Sequence, residues 1–257
     1  AVLSFNLLPH HVGLNLGGFM APLVCGTLGE IYGWHYGFGA AGVGMFAGLM
    51  VYVFGRRYLP PVPSRVAPPA RDAAGQRADA RRIWWLLLGV GIAATVFRGA
   101  YEQVGNTLPL WIDASVARDV GGFSIPMTWF QSLNPLLVIS MTPLLLMAWR
   151  HRAAAGREAS PARRMANGAL IVAAAYLLLA LLSAAGAGAP VSWLWLVVFF
   201  VVLTLGELYI LPTGLGLFAR LAPPRLGATT VASWFLATFS GSLLAGLVGM
   251  LFTRAGD

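Results

Sequence analysis

Residues 31–54 read IYGWHYGFGAAGVGMFAGLMVYVF, a run of 24 residues that contains no Asp, Glu, Lys or Arg. A helix rises about 1.5 Å per residue, so a run of this length can cross the roughly 30 Å hydrocarbon core of a bilayer. Of all 257 residues, 58% are hydrophobic and 10% are charged, whereas soluble domains carry about 25% charged residues. The sequence therefore predicts an integral membrane protein rather than a soluble enzyme.

Similar apolar runs occur along the rest of the chain. Glu30 separates the first run from the second, and the turn sequence GAGAP at 186–190 divides a run that is too long for one helix. The predicted spans are 7–29, 31–54, 83–112, 125–149, 166–185, 191–219 and 226–253. We expect an all-α membrane protein of about seven transmembrane helices.

Arginine placement predicts the orientation of these helices. All 17 basic residues are arginine; the gap 55–82 holds seven of them, 150–164 holds five and 220–225 holds two. The gaps that alternate with these three, at Glu30, 113–124 and 186–190, together hold a single arginine, Arg118. Cytoplasmic loops are the positively charged ones, so we expect a multi-pass protein of the cytoplasmic (inner) membrane, with the start of this chain and the 55–82 loop on the cytoplasmic side. Because the arginines lie between apolar runs, a nucleic-acid partner is disfavoured.

The proline- and arginine-rich stretch 56–82 is typical of a solvated linker. It divides the chain into two helices at 1–55 and five helices at 83–257. The chain starts without an initiator Met or a basic leader, and we expect it to be an internal piece of a longer protein.

Two acidic residues are predicted near the middle of the membrane. Glu207 lies 13 residues before Arg220, and Glu102 lies 11 residues before Asp113, which places each about 16–20 Å from a helix end. A charge at this depth is costly and indicates a functional site, and transporters hold substrate and coupling ions there. Arg98 is four residues before Glu102 on the same helix face and could neutralise it, so a purely structural ion pair is the alternative for Glu102. For Glu207 the alternative is a buried, protonated acid bonded to a neighbouring helix.

Asn15, Asn134 and Trp234 are predicted at similar depth, where each forms either interhelical contacts or part of a polar cavity. Cys25 is the single cysteine, which excludes an internal disulfide and a multi-cysteine metal site. No metalloprotease, P-loop or serine-hydrolase motif is present in the sequence. We therefore expect no catalytic residue, no metal and no cofactor.

Six segments resemble one family in one collinear order. GLNLGGFMAPLVCGTLGE (13–30) and YGWHYGFGAAGVG (32–44) are similar to the fifth and sixth helices of the proton-coupled oligopeptide transporters, the POT/PTR family of the major facilitator superfamily. AYEQVGN (100–106), WFQSLNP (129–135), LGELYILPTG (205–214) and WFLATFSG (234–241) resemble its seventh, eighth, tenth and eleventh helices. The resemblance implies a partial major facilitator fold.

The resemblance also implies a function, which is symport of di- and tripeptides with protons by alternating access. It assigns Asn15 to the peptide backbone, Asn134 and Glu207 to the surroundings of the peptide amino terminus, and Trp234 to the binding pocket. It assigns Glu102 to protonation and gating. A glutamate at mid-membrane depth suits this work, because it can bind a proton or, ionised, a substrate ammonium group.

Three positions depart from the family's usual residues. His10-His11 replaces an aromatic pair, Arg98 replaces a tryptophan after Phe97, and Leu211 replaces a small polar residue before Pro212. Arg98 thereby joins Glu102 and Glu207 as a candidate for proton coupling and gating. The family's first four helices and its twelfth have no counterpart in this chain, so we expect it not to complete alternating access alone, and those helices as a separate chain are a candidate partner.

Three alternatives remain beside a peptide symporter of this kind. One is a transport-inactive, truncated or partner-dependent membrane subunit. Another is a carrier of a different solute, such as nitrate, on the same fold. The third is a membrane-embedded enzyme.

Overall fold

The computed structural model describes residues 2–58, 75–186, 189–221 and 227–255, and most of these residues are helical. Seven helices in the described residues are long and apolar enough to cross a membrane, which confirms the predicted number. They are Val12–Tyr32, Trp34–Tyr58, Trp84–Ser115, Met127–Ala154, Pro161–Gly186, Leu194–Leu217 and Val231–Leu251. The chain is an all-α, multi-pass membrane protein.

The helices are numbered in chain order. They are α1 (Val2–Ala21), α2 (Thr27–Tyr32), α3 (Trp34–Gly55), α4 (Gly75–Tyr101), α5 (Thr107–Ser115), α6 (Met127–Ala154), α7 (Pro161–Gly186), α8 (Leu194–Leu221) and α9 (Gly227–Ala255). Large apolar side chains remain exposed along α3, including Phe38, Met45 and Val51, each more than 70% accessible. Apolar surface on this scale is typical of helices that face lipid.

The first span ends later than the sequence predicts. A π-helical turn, Pro22–Gly26, joins α1 to α2, because Pro22 has no backbone N–H to donate to the preceding turn. The span then continues through Glu30 and ends at Gly33, whose φ of 115° is open to glycine but strained for other residues. Glu30 is therefore inside the helix and not in a gap between two helices.

The predicted linker 56–82 differs from the structure at both ends. Arg56–Tyr58 forms a 3₁₀ turn, and α4 already begins at Gly75, so the last eight residues of the predicted linker are helical. Residues 76–82 contain good helix formers such as Gln, Ala and Arg. A helix that extends beyond the bilayer into water needs no apolar face, which is why hydropathy does not detect this part. The rest of the linker, 59–74, lies outside the described residues.

Four short strands lie in the loops between spans. β1 (Val116–Ala117) pairs in parallel with β4 (Val191–Ser192), and β2 (Asp119–Val120) forms a hairpin with β3 (Phe123–Ser124). The hairpin turn is Gly121-Gly122 with φ of 60° and 88°, the positive values that a tight two-residue hairpin requires.

The described residues form two compact units. One contains the residues up to Tyr58 together with Arg118–Met141, and the other contains Gly75–Ala117 and the residues from Thr142 onward. In the second unit α8 is the most buried helix, with Phe199, Phe200 and Leu203 fully inaccessible. Its neighbour α7 approaches closely, since a Cβ placed on Gly206 would lie 2.9 Å from the carbonyl oxygen of Gly168.

Candidate functional site

The third span changes helix type at Glu102. α4 ends at Tyr101, Glu102–Val104 form one 3₁₀ turn, and the Gly105 N–H donates to the Glu102 carbonyl at 3.1 Å. Asn106 then leaves helical geometry (φ −115°, ψ −81°) before α5 begins. Breaks of this kind inside membrane helices occur where backbone is buried in protein or lines a cavity. The predicted acid thus lies at a helix break within the membrane span.

Glu102 forms the ion pair that its spacing from Arg98 predicts. The Arg98 guanidinium contacts the Glu102 carboxylate, and both side chains are about one third exposed, at 31% and 32%. The Ser242 hydroxyl of α9 donates to the same carboxylate oxygen of Glu102 at 3.3 Å. The Nε of Arg98 is buried and finds no hydrogen-bond partner among the described residues. Arg98 therefore retains one unused donor beside the acidic group.

Glu207 belongs to the same cluster, although it is on α8. Its carboxylate accepts a hydrogen bond from the Tyr101 hydroxyl, and Tyr101 also interacts electrostatically with Arg98 and Glu102. The Arg98 guanidinium carbon lies 5.4 Å from the centre of the Tyr101 ring, within the range of a cation–π contact. The structure thus brings together the three residues predicted for proton coupling, Arg98, Glu102 and Glu207, with Tyr101 between them.

Neighbouring helices fix the end of α4 that carries this cluster. The Tyr176 hydroxyl of α7 donates to the Ala100 carbonyl at 2.5 Å, and the Thr95 hydroxyl donates to the Ala237 carbonyl of α9 at 2.9 Å. A Cβ on Gly241 would lie 2.5 Å from the Thr95 carbonyl oxygen and 2.6 Å from the Arg98 Cβ. Only glycine permits this approach, so Gly241 sets the position of Arg98 relative to α9.

Trp234 lies in the packed interior of the same unit. It is 4% exposed and packs with Leu87 and Ala94 of α4, with Leu211 at the edge of the group. Its ring covers Gly214 of α8, where a Cβ would come within 2.5 Å of the indole. The observed role of Trp234 is therefore to hold α4, α8 and α9 together, and its contact with a substrate remains a prediction.

Asn15 and Asn134 belong to the other unit. Both are half-buried, and both make polar or electrostatic interactions within the described residues. The residues beside Asn134 pack on α1: the Ser132 hydroxyl donates to the Phe19 carbonyl at 2.9 Å, and Pro135 lies against Gly18. These α1 contacts lie about one helical turn from Asn15. The two asparagines thus occupy neighbouring levels of one pair of helices, while the acidic cluster belongs to the second unit.

The sequence did not predict three members of the cluster, Tyr101, Ser242 and Tyr176. Ser242 and Tyr176 lie within apolar runs, and Tyr101 directly precedes Glu102 in the segment 100–106 that resembles the family; these positions were the only available signals. The side chains of His10 and His11 lie outside the described residues. Chemically, the cluster offers two carboxylates, a guanidinium and three hydroxyls, which suits the binding of protons and of an ammonium group.

The family model described as PTR2, POT family, matches residues 5–74 and 70–256, nearly the whole chain. The chain belongs to the POT family.

Individual POT relatives agree with this assignment. An uncharacterized transporter, YclF, of Bacillus subtilis is 30% identical over 95% of this chain and 60% of its own length. The peptide transporter YePEPT of Yersinia enterocolitica is 29% identical over 93% of this chain and 60% of its own. A di-/tripeptide transporter of Lactococcus lactis is 25% identical over 95% of this chain and 61% of its own. The chain therefore spans about 60% of the length of these relatives.

Solved POT structures share the fold. A crystal structure of a peptide transporter POT in complex with sulfate superimposes with a TM-score of 0.76 at 27% identity, over 92% of this chain and 60% of that one. A mutant of a peptide transporter POT in complex with alafosfalin gives 0.77 at 28% identity, over 93% and 59%. The chain thus has a partial fold of the POT transporters of the major facilitator superfamily.

Proposed function

We propose that this chain is part of a proton-coupled symporter of di- and tripeptides that works by alternating access in the cytoplasmic membrane. Membership of the POT family supports this function, since relatives named as peptide transporters match over most of the chain. The observation that carries the proposal is the contact of Arg98, Tyr101, Glu102 and Glu207 within one membrane-embedded cluster. Carboxylates in contact with hydroxyls inside membrane spans are the chemistry that proton relays use.

We assign different work to the two acids. Glu102 is ion-paired with Arg98 at a helix break, so a proton arriving on Glu102 would release the guanidinium and loosen the pair. Glu207 accepts a hydrogen bond from a neutral hydroxyl and is the better candidate for the peptide ammonium group. Asn15, Asn134 and Trp234 are proposed to complete the peptide site. In this scheme the contacts of Arg98 within the cluster change with the protonation state of Glu102.

The proposed orientation follows the arginine distribution. The loops 55–82 and 150–164, with seven and five arginines, would be cytoplasmic. Two helices before the first of these loops would belong to the amino-terminal bundle of the carrier and five after it to the carboxy-terminal bundle. The partners implied are peptides, protons, the lipid bilayer and the helices that complete the carrier.

The test is reconstitution of the carrier encoded by the complete reading frame that contains this chain. Proteoliposomes with an acidic exterior should accumulate a labelled dipeptide, and unlabelled di- and tripeptides should compete while nitrate should not. Absence of peptide uptake under a proton gradient would support a transport-inactive subunit. Competition by nitrate without competition by dipeptides would support a carrier of another solute.

A further inference from the structure

An arginine-lined cleft lies where α6 ends and α7 begins, within the second unit. It shares no residue with the acidic cluster. Its lining comes from both helices, the loop between them and α8. The lining residues are Trp149, Arg152, Arg157, Glu158, Ala159, Arg164, Asn167 and Tyr209. The enclosed space is only about 20 Å³, too small for a peptide. A ligand would therefore bind with only a small charged group at the opening of the cleft.

The charges of the cleft do not balance. The single acid, Glu158, pairs with Arg164 at 3.0 Å, and Arg164 also lies 4.6 Å over the Trp149 ring. Within the described part of the chain, no carboxylate lies in salt-bridge range of Arg152 or Arg157. The cleft therefore presents two cationic groups without an anionic partner.

The backbone holds these two arginines at one place. The Arg157 N–H donates to the Arg152 carbonyl at 2.9 Å, which closes the chain after α6 into a turn. Both side chains are exposed, whereas Arg164 is 20% exposed and fixed by its contacts. Trp149 packs edge-on against Tyr209 at 5.3 Å, so the two rings form an aromatic wall of the cleft.

The depth of the cleft in the membrane is set by the spans. The apolar run of α6 ends at Trp149 and that of α7 begins at Ala166, so the arginines between them place the cleft at the membrane surface. Tryptophan and tyrosine are typical of this level, where one side of the ring meets acyl chains and the other meets headgroups. Guanidinium groups bind phosphate oxygens in a bidentate fork. Basic pockets between transmembrane helices bind anionic lipid headgroups on the same principle.

We infer that this cleft binds the headgroup phosphate of an anionic phospholipid through Arg152 and Arg157, with the lipid body resting against Trp149. The inference rests on the membrane position of α6 and α7 and not on peptide transport.

Native mass spectrometry of the detergent-purified chain tests the inference, with dioleoylphosphatidylglycerol and dioleoylphosphatidylcholine as the two probes. The chain should retain phosphatidylglycerol in preference to phosphatidylcholine. The double variant Arg152→Gln/Arg157→Gln should bind phosphatidylglycerol about 25-fold more weakly, since each basic residue near an anionic surface contributes roughly a factor of five. Arg152→Lys/Arg157→Lys keeps both charges and should lose less.

Arg56→Gln/Arg57→Gln is the matched control, because it removes two exposed arginines from the end of another span. It should change phosphatidylglycerol binding less than twofold. Equal weakening by both glutamine pairs would overturn the inference, because binding would then follow total charge rather than this cleft. Retention of phosphatidylcholine equal to that of phosphatidylglycerol would overturn it too. Complete displacement of phosphatidylglycerol by inorganic phosphate would also overturn it, because free phosphate would then be the ligand.

Discussion

Tyr101 connects the two membrane acids of this chain. Its hydroxyl bonds to Glu207 on α8, and its backbone precedes Glu102 at the helix break. Tyr101 is thus placed to transmit a change at one carboxylate to the other. Hydropathy located both acids but not this tyrosine, since the partner of Glu207 depends on how α8 is rotated against α4.

Tyr101→Phe tests this connection. Loss of the hydroxyl should lower stability by about 1 kcal/mol and should shift the pH dependence of peptide uptake by the complete carrier. Thr95→Val is the control, because it removes a hydroxyl outside the cluster that bonds a backbone carbonyl of α9 and should reduce stability alone. Identical pH profiles for the wild type and Tyr101→Phe would contradict the proposed link between the acids.

At the scale of elements, Glu30 caps a helix that is distant in sequence. Its two carboxylate oxygens accept the N–H groups of Met127 and Thr128 at 3.0 and 2.9 Å, and the Thr128 hydroxyl donates at 2.6 Å. These N–H groups belong to the first turn of α6. The N–H groups of a first helical turn have no acceptor within their own helix. A carboxylate there also complements the positive end of the helix dipole.

We expect Glu30→Gln to destabilise the protein by about 1–2 kcal/mol, a fall of roughly 2–8 °C in the melting temperature. The tryptophan fluorescence of the chain provides the readout in detergent. Glu158→Gln is the comparison, because Glu158 is 66% exposed and its surface pair should contribute less than about 1 kcal/mol. A larger loss for Glu158→Gln than for Glu30→Gln would show that the cap is not the stabilising element.

The contact of α7 with α8 depends on a side chain being absent at Gly206. A Cβ there would meet the Val172 Cγ2 at 2.6 Å and the Gly168 carbonyl oxygen at 2.9 Å. Gly206→Ala should therefore separate the helices and destabilise the protein by about 1–3 kcal/mol. Gly246→Ala, where nothing lies within 4 Å, should be neutral or stabilising by up to about 1 kcal/mol. Thermal unfolding of both variants provides the measurement. Equal melting temperatures for Gly206→Ala and Gly246→Ala would refute the close packing of α7 against α8.

Particular residues show what the sequence could and could not predict. Apolar runs located all seven spans, because the bilayer demands about 20 apolar residues in each. Spacing alone predicted the Arg98–Glu102 pair, since both lie on one helix. Glu30 was misplaced because a charge suggested a gap, whereas a carboxylate inside the helix caps α6.

At the scale of the whole molecule, the arginine distribution predicts which loops face the cytoplasm. In a Cys25→Ser background, a cysteine at Ala155 should react with a membrane-impermeant maleimide only in inside-out vesicles. A cysteine at Ser124, which is exposed in the β2–β3 hairpin, should react from outside intact cells. The reverse pattern would invert the proposed topology and place the arginine-rich loops outside.

Proton-driven dipeptide uptake by Glu102→Gln and Glu207→Gln forms of the complete reconstituted carrier tests the central claim most directly. Glutamine keeps the size of each side chain but binds no proton and carries no charge. Glu102→Gln should lose accumulation under a proton gradient by at least about tenfold, a deficit of 1.4 kcal/mol or more, while peptide exchange without a gradient persists. Glu207→Gln should lose both. If either variant accumulated dipeptide as the wild type does, the Arg98–Tyr101–Glu102–Glu207 cluster would not be the coupling site.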